Sequence, residues 1–392
     1  MLHFSKNILL FLTFVSFIAC ATVKKETKPL KTGAEQTNLY LPLLQGKTVA
    51  LVVNHTSVIK QTHLADSLIS LGVKIKTIFA PEHGFRGTAD AGEHVANGVD
   101  KKTGIAIVSL YGSNKKPTPA QLEGIDIVIF DIQDVGVRFY TYTSTMHYVM
   151  EACAENGKAV LILDRPNPNG HYVDGPVLDR KFASFVGLNP VPVVHGCTVG
   201  ELATMINEEG WLKNQVKANL TVIKCLNYKH STPYTLPIAP SPNLPNLQSI
   251  LLYPSICFFE GTEVSVGRGT DKQFQVIGSV NPKYGSFTFT PEDKPGAKNP
   301  PLKGKLCYGF DLRQVDARKQ GFTIKYIIDF YQKAEDKNKF YINTASFDRL
   351  VGSDNLRKQL AEGLTETEIR KTWQNDLDNY KTLRKKYLLY AE

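Results

Sequence analysis

Ile125-Asp126-Ile127-Val128-Ile129-Phe130 runs without a break into Asp131-Ile132-Gln133-Asp134. A half-exposed strand alternates apolar and polar residues, so an unbroken β-branched run ending in acids predicts a strand covered on both faces. Lys47 to Val53, Lys74 to Phe79, Ile105 to Leu110 and Lys158 to Leu163 are runs of the same kind. Helical spacing lies between them. His63 to Leu71 carries Leu64, Leu68 and Leu71 and is closed by Gly72; Thr143 to Asn156 is closed by Gly157. Thr198 to Glu209 opens with Thr198 and Glu201 at the spacing of a capping box. Buried strands alternating with helices specify an α/β fold, a Rossmann-like parallel sheet with helices on both faces. The turn after the first strand is Asn54-His55-Thr56-Ser57. It lacks Gly-x-Gly-x-x-Gly, so a dinucleotide is not indicated.

The remaining chain divides around this sheet. After Leu220 to Cys225, prolines at 233, 237, 240, 242 and 245 mark the passage into a second unit. Residues 41–235 are expected to form the Rossmann-like catalytic domain and 236–392 a smaller α+β auxiliary domain. The latter holds a hairpin-like piece (Ser286 to Thr290), an exposed Pro/Gly/Lys-rich loop (Asn281 to Lys305) and helices over Gly321 to Lys333 and Glu366 to Lys386. At the N-terminus, Lys6 precedes a short apolar run ending Phe17-Ile18-Ala19-Cys20. That is the anatomy of a lipoprotein signal peptide over 1–20, with Cys20 as the lipidated residue. Residues 21–40 are expected to be a flexible tether. The chain is then a cell-envelope lipoprotein held at a membrane through its N-terminal lipid, on the periplasmic or outer-membrane side.

The formal net charge of +9 is compatible with a Lys-rich surface near anionic wall polymer or lipid, and nucleic acid is not expected in that compartment. Apart from Cys20, the cysteines (Cys153, Cys197, Cys225, Cys257, Cys307) are odd in number and widely scattered, which argues against a disulfide framework and a zinc site.

Ligands of open parallel sheets bind beyond the carboxyl ends of the strands. Glu82, His83 and Arg86 follow the second strand. Asp131, Gln133, Asp134 and Arg138 follow the fourth, and Asp164, Arg165 and Asn167 the fifth. These acids and guanidiniums should converge on one rim. Paired carboxylates suit glycoside hydrolysis. No Gly-x-Ser-x-Gly elbow is present for a serine nucleophile, and Cys197, beside His195, is a poor cysteine candidate. Glu82, His83, His94 and His55 lack the spacing of a known metal motif. Each element also has a structural explanation. Glu82-His83 would be a helix cap, Asp131 a cap or ion-pair partner, and Asp164 to Pro168 an Asx-type turn. Glu263 with Arg268 would be a surface pair. Tyr140 and Tyr142 would be core residues or a platform beside a sugar.

Long stretches resemble one known family. Pro81 to Gly87, Phe130 to Tyr142, Leu163 to Pro168, Asp174 to Leu178, Pro240 to Pro245 and Glu260 to Thr270 are similar, in order, to the signature turns of the NamZ-type exo-β-N-acetylmuramidases, as is Arg384 to Tyr390 near the end. The resemblance implies release of N-acetylmuramic acid from the non-reducing end of peptidoglycan-derived saccharides, with no cofactor and no metal.

Physics and resemblance together assign roles. Glu82 is the general acid, in a glycine-flanked turn where water exclusion would raise its pKa. Asp131 or Glu263 is the second carboxylate. One of Arg138, Arg165 and Arg268 binds the lactyl carboxylate by a bidentate pair. His83, Gln133 and Asn167 hold hydroxyls or the acetamido group, with Arg86, Asp134, Tyr140, Tyr142 and Asp164 completing the site. Acetamido-assisted catalysis stays open, as do a non-catalytic wall-sugar-binding lipoprotein and a metal-dependent amidase or esterase. Oligomeric state is not legible.

Overall fold

The computed structural model describes residues 28–85 and 97–392. Cys20, Arg86, His94 and the signal segment lie outside them. The strands are β1 (Thr48–Val53), β2 (Lys74–Ala80), β3 (Gly98–Val99), β4 (Ala106–Ser109), β5 (Ile127–Asp131), β6 (Ala159–Leu163) and β7 (Asn219–Ile223). They form one sheet in the order β7-β6-β5-β1-β2-β4-β3, parallel except where β3 meets β4.

Alternation along each strand explains the two covered faces. Val49, Leu51 and Val53 of β1 join Ile78, Ile129 and Leu161 in a core with Tyr40, Leu44, Leu64 and Leu68. Those four belong to helices α1 (Thr37–Leu44) and α2 (Leu64–Ser70). Ala50 and Val52 point the other way, with Phe79, Val128, Phe130 and Ile162, towards α3 (Tyr142–Glu155) and α4 (Val199–Glu208). Thr198 caps α4 in the reciprocal box its sequence indicated. This second core continues without interruption into the C-terminal domain, through Phe139, Tyr253 and Phe258.

The C-terminal domain has α5 (Leu247–Ile256), β8 (Val276–Ser279), β9 (Phe287–Phe289), β10 (Cys307–Asp311), α6 (Lys325–Lys333), α7 (Thr344–Val351) and α8 (Glu366–Arg384). Its three strands pair antiparallel in the order β8-β10-β9. The two-domain α/β plan of the sequence is thus the observed one.

One expectation needs correction. Residues 28–40 are not tether. Lys31 pairs with Leu226, and Ala34 and Tyr40 are fully buried, because α1 lays an apolar edge on the sheet. Within Asn281–Lys305, β9 coincides with the hairpin-like piece expected over Ser286 to Thr290.

Candidate active site

β1 is flanked by β5 on one side and β2 on the other, so the strand order reverses at β1/β5 and a crevice is expected there. The protein fills that crevice itself. Thr56 Oγ1 accepts the Gln133 amide at 3.1 Å, and Ser57 donates its hydroxyl to the Asp131 carbonyl. Asp131 is fully buried in a bidentate pair with Arg165, with Nε–Oδ1 at 2.5 Å and Nη2–Oδ2 at 2.9 Å. Gln133 donates to the carbonyls of Asp134 and Pro166.

The open space lies one strand further, beyond β2. There Pro81-Glu82-His83-Gly84 turns off the sheet, with Gly84 N donating to Pro81 O at 3.0 Å. His83 is buried and has a left-handed φ of 68°. That conformation is costly for a non-glycine residue and persists where its surroundings fix it, as they often do at active sites.

Glu82 is held by side chains from two elements. Tyr111, just past β4, donates to Oε1 at 3.0 Å; Thr141, at the start of α3, donates to Oε2 at 3.1 Å; and the Tyr142 hydroxyl reaches the Glu82 carbonyl at 3.4 Å. Glu82 and His83 face a hollow of about 70 Å³, completed by Tyr140, Tyr142, Asn243, Tyr253, Arg268 and Phe274 among others. Tyr140 and Tyr142 meet edge to face at 4.9 Å, and Tyr140 donates to Pro240 O at 2.8 Å. Burial raises both phenols, so they stay neutral donors. The hollow is lined from both domains, and its volume is smaller than a whole saccharide.

Asn243 is 2% exposed; its amide donates to Gly296 O at 2.8 Å, while Oδ1 has no partner among the described residues. A buried acceptor of this kind awaits a donor. Arg268 pairs through Nε with Glu260 Oε1 at 2.5 Å and lies 5.1 Å from the Phe274 ring centroid. Beyond that bond the planar guanidinium, which lines the hollow, is suited to a carboxylate.

Several assigned residues stand elsewhere. Arg138 is buried and gives its fork to the carbonyls of Pro176, Val191, Leu350 and Val351, which leaves nothing for a ligand. Asp164 is fully enclosed. It accepts from Gly200 N and Thr198 Oγ1 at the start of α4, and from the Tyr390 hydroxyl at 2.5 Å. Asn167 closes an Asx turn by accepting from Asn169 N and donates to Cys197 O. A Cβ on Gly136, whose φ is 78°, would stand 2.2 Å from Asn167 Oδ1. Asp134 accepts from Gly136 N and faces His195 at 3.5 Å. Glu263 accepts from Tyr284 and does not line the hollow. Asp131, Glu263, Arg138, Arg165, Gln133, Asp134, Asp164 and Asn167 are therefore placed as framework around the site rather than on its surface. Asp131 and Arg165 hold each other, Arg138 holds backbone carbonyls, and Asp164 and Glu263 accept from tyrosine hydroxyls. Glu82, His83, Tyr140, Tyr142 and Arg268 share the hollow.

Among the described residues, no group of three or more His, Cys, Asp and Glu side chains is placed to hold a metal ion. The five cysteines from Cys153 onward are buried free thiols, and burial pushes Cys197 up to about 12, far from a nucleophile's range. Tyr111, Thr141, Asn243 and Tyr253 are site residues that the sequence did not single out. Asn243 lay inside the quoted Pro240 to Pro245 stretch, without a role.

Residues 49–248 match the family model described as Exo-beta-N-acetylmuramidase NamZ, N-terminal, and residues 251–390 match its C-terminal counterpart. The chain belongs to the NamZ family. The matched boundary falls within α5, some way past the Pro-rich run, which forms a wall of the site rather than a linker. Peptidoglycan beta-N-acetylmuramidase NamZ of Bacillus subtilis (strain 168) is 39% identical over 418 aligned positions, covering 99% of this chain and 98% of that one. Two crystal structures of DUF1343 family proteins from Bacteroides fragilis NCTC 9343 have the same architecture. One superposes with a TM-score of 0.87 at 48% identity, covering 93% of this chain and all of the other. The second gives 0.80 at 29%, covering 92% and 99%. In this NamZ chain, four of the stretches that carried the resemblance supply lining to the hollow, through Glu82, Tyr140, Asn243 and Arg268, whereas Pro176, Val177 and Leu178 line a separate one.

Proposed function

We propose that this NamZ chain is an exo-acting glycoside hydrolase that releases N-acetylmuramic acid from the non-reducing end of peptidoglycan-derived saccharides, with Glu82 as the general acid. Membership of the family supports the activity. One observation carries the role: among the described residues lining the hollow, Glu82 is the single carboxylate. The hydroxyls of Tyr111 and Thr141 on its two oxygens fix its aim. A hydroxyl can also accept, so the same frame holds the acid and the carboxylate without rearrangement.

With no second carboxylate among the described residues that line the hollow, the substrate's own acetamido group is the favoured internal nucleophile at the anomeric carbon. Asn243 Oδ1 would accept its N–H, and the Arg268 fork would take the lactyl carboxylate. Tyr140 and Tyr142 would flank the ring. Cys20 would anchor the protein to an envelope membrane through lipid.

The test is turnover of a chromogenic β-N-acetylmuramide beside the matching glucosaminide by protein lacking residues 1–20. Release from the muramide is expected. Glu82→Gln should lose at least about a hundredfold in kcat, the scale of general-acid catalysis, while still binding. Binding by the unaltered chain without turnover would make it a wall-sugar-binding protein instead.

A further inference from the structure

The hollow is not a closed end. Arg268 also lines a groove of about 660 Å³, walled by Val264, Val266, Lys298, Pro300 and Ile342 among others. Further bonds weld the two spaces into one surface. Asn243, on the hollow, donates to Gly296, on the groove. Gly269, next to Arg268, has a φ of 78° and lies so close to Pro300 that a Cβ there would be 2.5 Å from its ring. Glu292 N donates to Gly269 O at 2.8 Å. The groove floor is thereby locked to the guanidinium that faces the reacting sugar.

Its chemistry is that of a saccharide platform. Val264 and Val266 form an apolar base, and Ile342 stands 70% exposed at the mouth. Ile342 with Val264 and Val266 gives an apolar patch for the C–H face of a sugar, and the Asn299 amide offers a donor and an acceptor beside it.

We infer that this groove seats the saccharide leaving group. The inference rests on the hydrolase reading, since a leaving group exists only if the bond at Glu82 is cut. An exo-acting enzyme encloses one terminal sugar, so the rest of the chain must leave through a space continuous with the hollow. The groove shares Arg268 with it. Two other hollows, of about 600 Å³ lined by Trp211 and Trp373 and of about 640 Å³ lined by Leu41 and Lys47, share no residue with it.

The experiment compares a muramyl-glucosamine disaccharide with the tetrasaccharide of two such repeats, because the bond cut is chemically the same in both. For the unaltered protein, KM should be about tenfold lower for the tetrasaccharide, a difference of about 1.4 kcal/mol. Ile342→Asp and Asn299→Ala should each remove most of that advantage while leaving turnover of an aryl β-muramide within about twofold. Equal KM for both saccharides, or variants that weaken aryl and saccharide substrates alike, would overturn the assignment of the groove. An unaltered protein inert on all three substrates would sink the hydrolase reading and this inference with it.

Discussion

Asp131, at the end of β5, and Arg165, just past the end of β6, lock together in a bidentate pair without solvent contact. They tie neighbouring strands at the rim where a parallel sheet usually offers its ligand site. Arg165 also donates to Val58 O at 3.2 Å, so the pair reaches the β1 side as well. Asp131→Asn would leave a buried guanidinium without its countercharge, a loss on the order of 3–5 kcal/mol. Urea unfolding should show that drop, while turnover per folded molecule stays within about twofold. Collapse of turnover in a protein of unchanged stability would return Asp131 to the chemistry.

Arg138 carries a second prediction. Burial without a carboxylate pushes its guanidinium down to about 9, and four carbonyls from both domains hold it instead. Arg138→Met strands those carbonyls, at about 1–3 kcal/mol for each one left unsatisfied. A urea midpoint far below that of the unaltered protein is expected. Arg138→Lys should not restore it, because an ammonium cannot span the planar fork. An unshifted midpoint would contradict the stapling role.

Asp164 predicts a pH dependence. Burial, first among its causes, raises the carboxyl from an ordinary 3.8 to about 6, although the bonds from Tyr390, Gly200 and Thr198 pull it down. The folded protein therefore binds this proton more tightly than the unfolded chain. Its contribution is present below about pH 4, and is lost as pH rises towards and through 6, by up to about 3 kcal/mol. Asparagine cannot titrate. The stability difference between the unaltered protein and Asp164→Asn should shift in favour of the unaltered protein between pH 7 and pH 4, by urea midpoints. A difference constant with pH would refute the raised value.

The thiols give a fourth. Burial pushes Cys153 and Cys197 up to about 12, Cys307 up to about 11, and Cys225 and Cys257 well above the ordinary range. Iodoacetamide at pH 8 should label these positions in native protein at least about a hundredfold more slowly than in urea, with turnover unaffected. Rapid labelling with loss of activity would mark a reactive thiol.

Legibility in the sequence followed the physics of each feature. The strands were plain because double burial writes continuous apolar runs such as Thr48 to Val53, and α4 was plain because Thr198 and Glu201 form a local box. Tyr40 and Ala34 escaped notice because α1 is short and follows a polar stretch. At the site, motifs showed which turns come together but not which way their side chains point. The acids of β5 and β6 look inward, to Arg165 and to α4, whereas Glu82 looks out. The partners that single out Glu82, Tyr111 and Thr141, come from separate turns, and no spacing along the chain connects them to it.

The clasp of Tyr390 on Asp164 has a consequence for assembly. Leu389 donates to Glu201, and His230 donates to the carbonyl of Ala391, so the final stretch is bolted beneath a sheet whose strands were made hundreds of residues earlier. The start of α4 cannot acquire its full set of partners until residue 390 has left the ribosome. A fusion joined directly after Glu392 would sit at that bolt, and purification handles belong at the other end of the molecule.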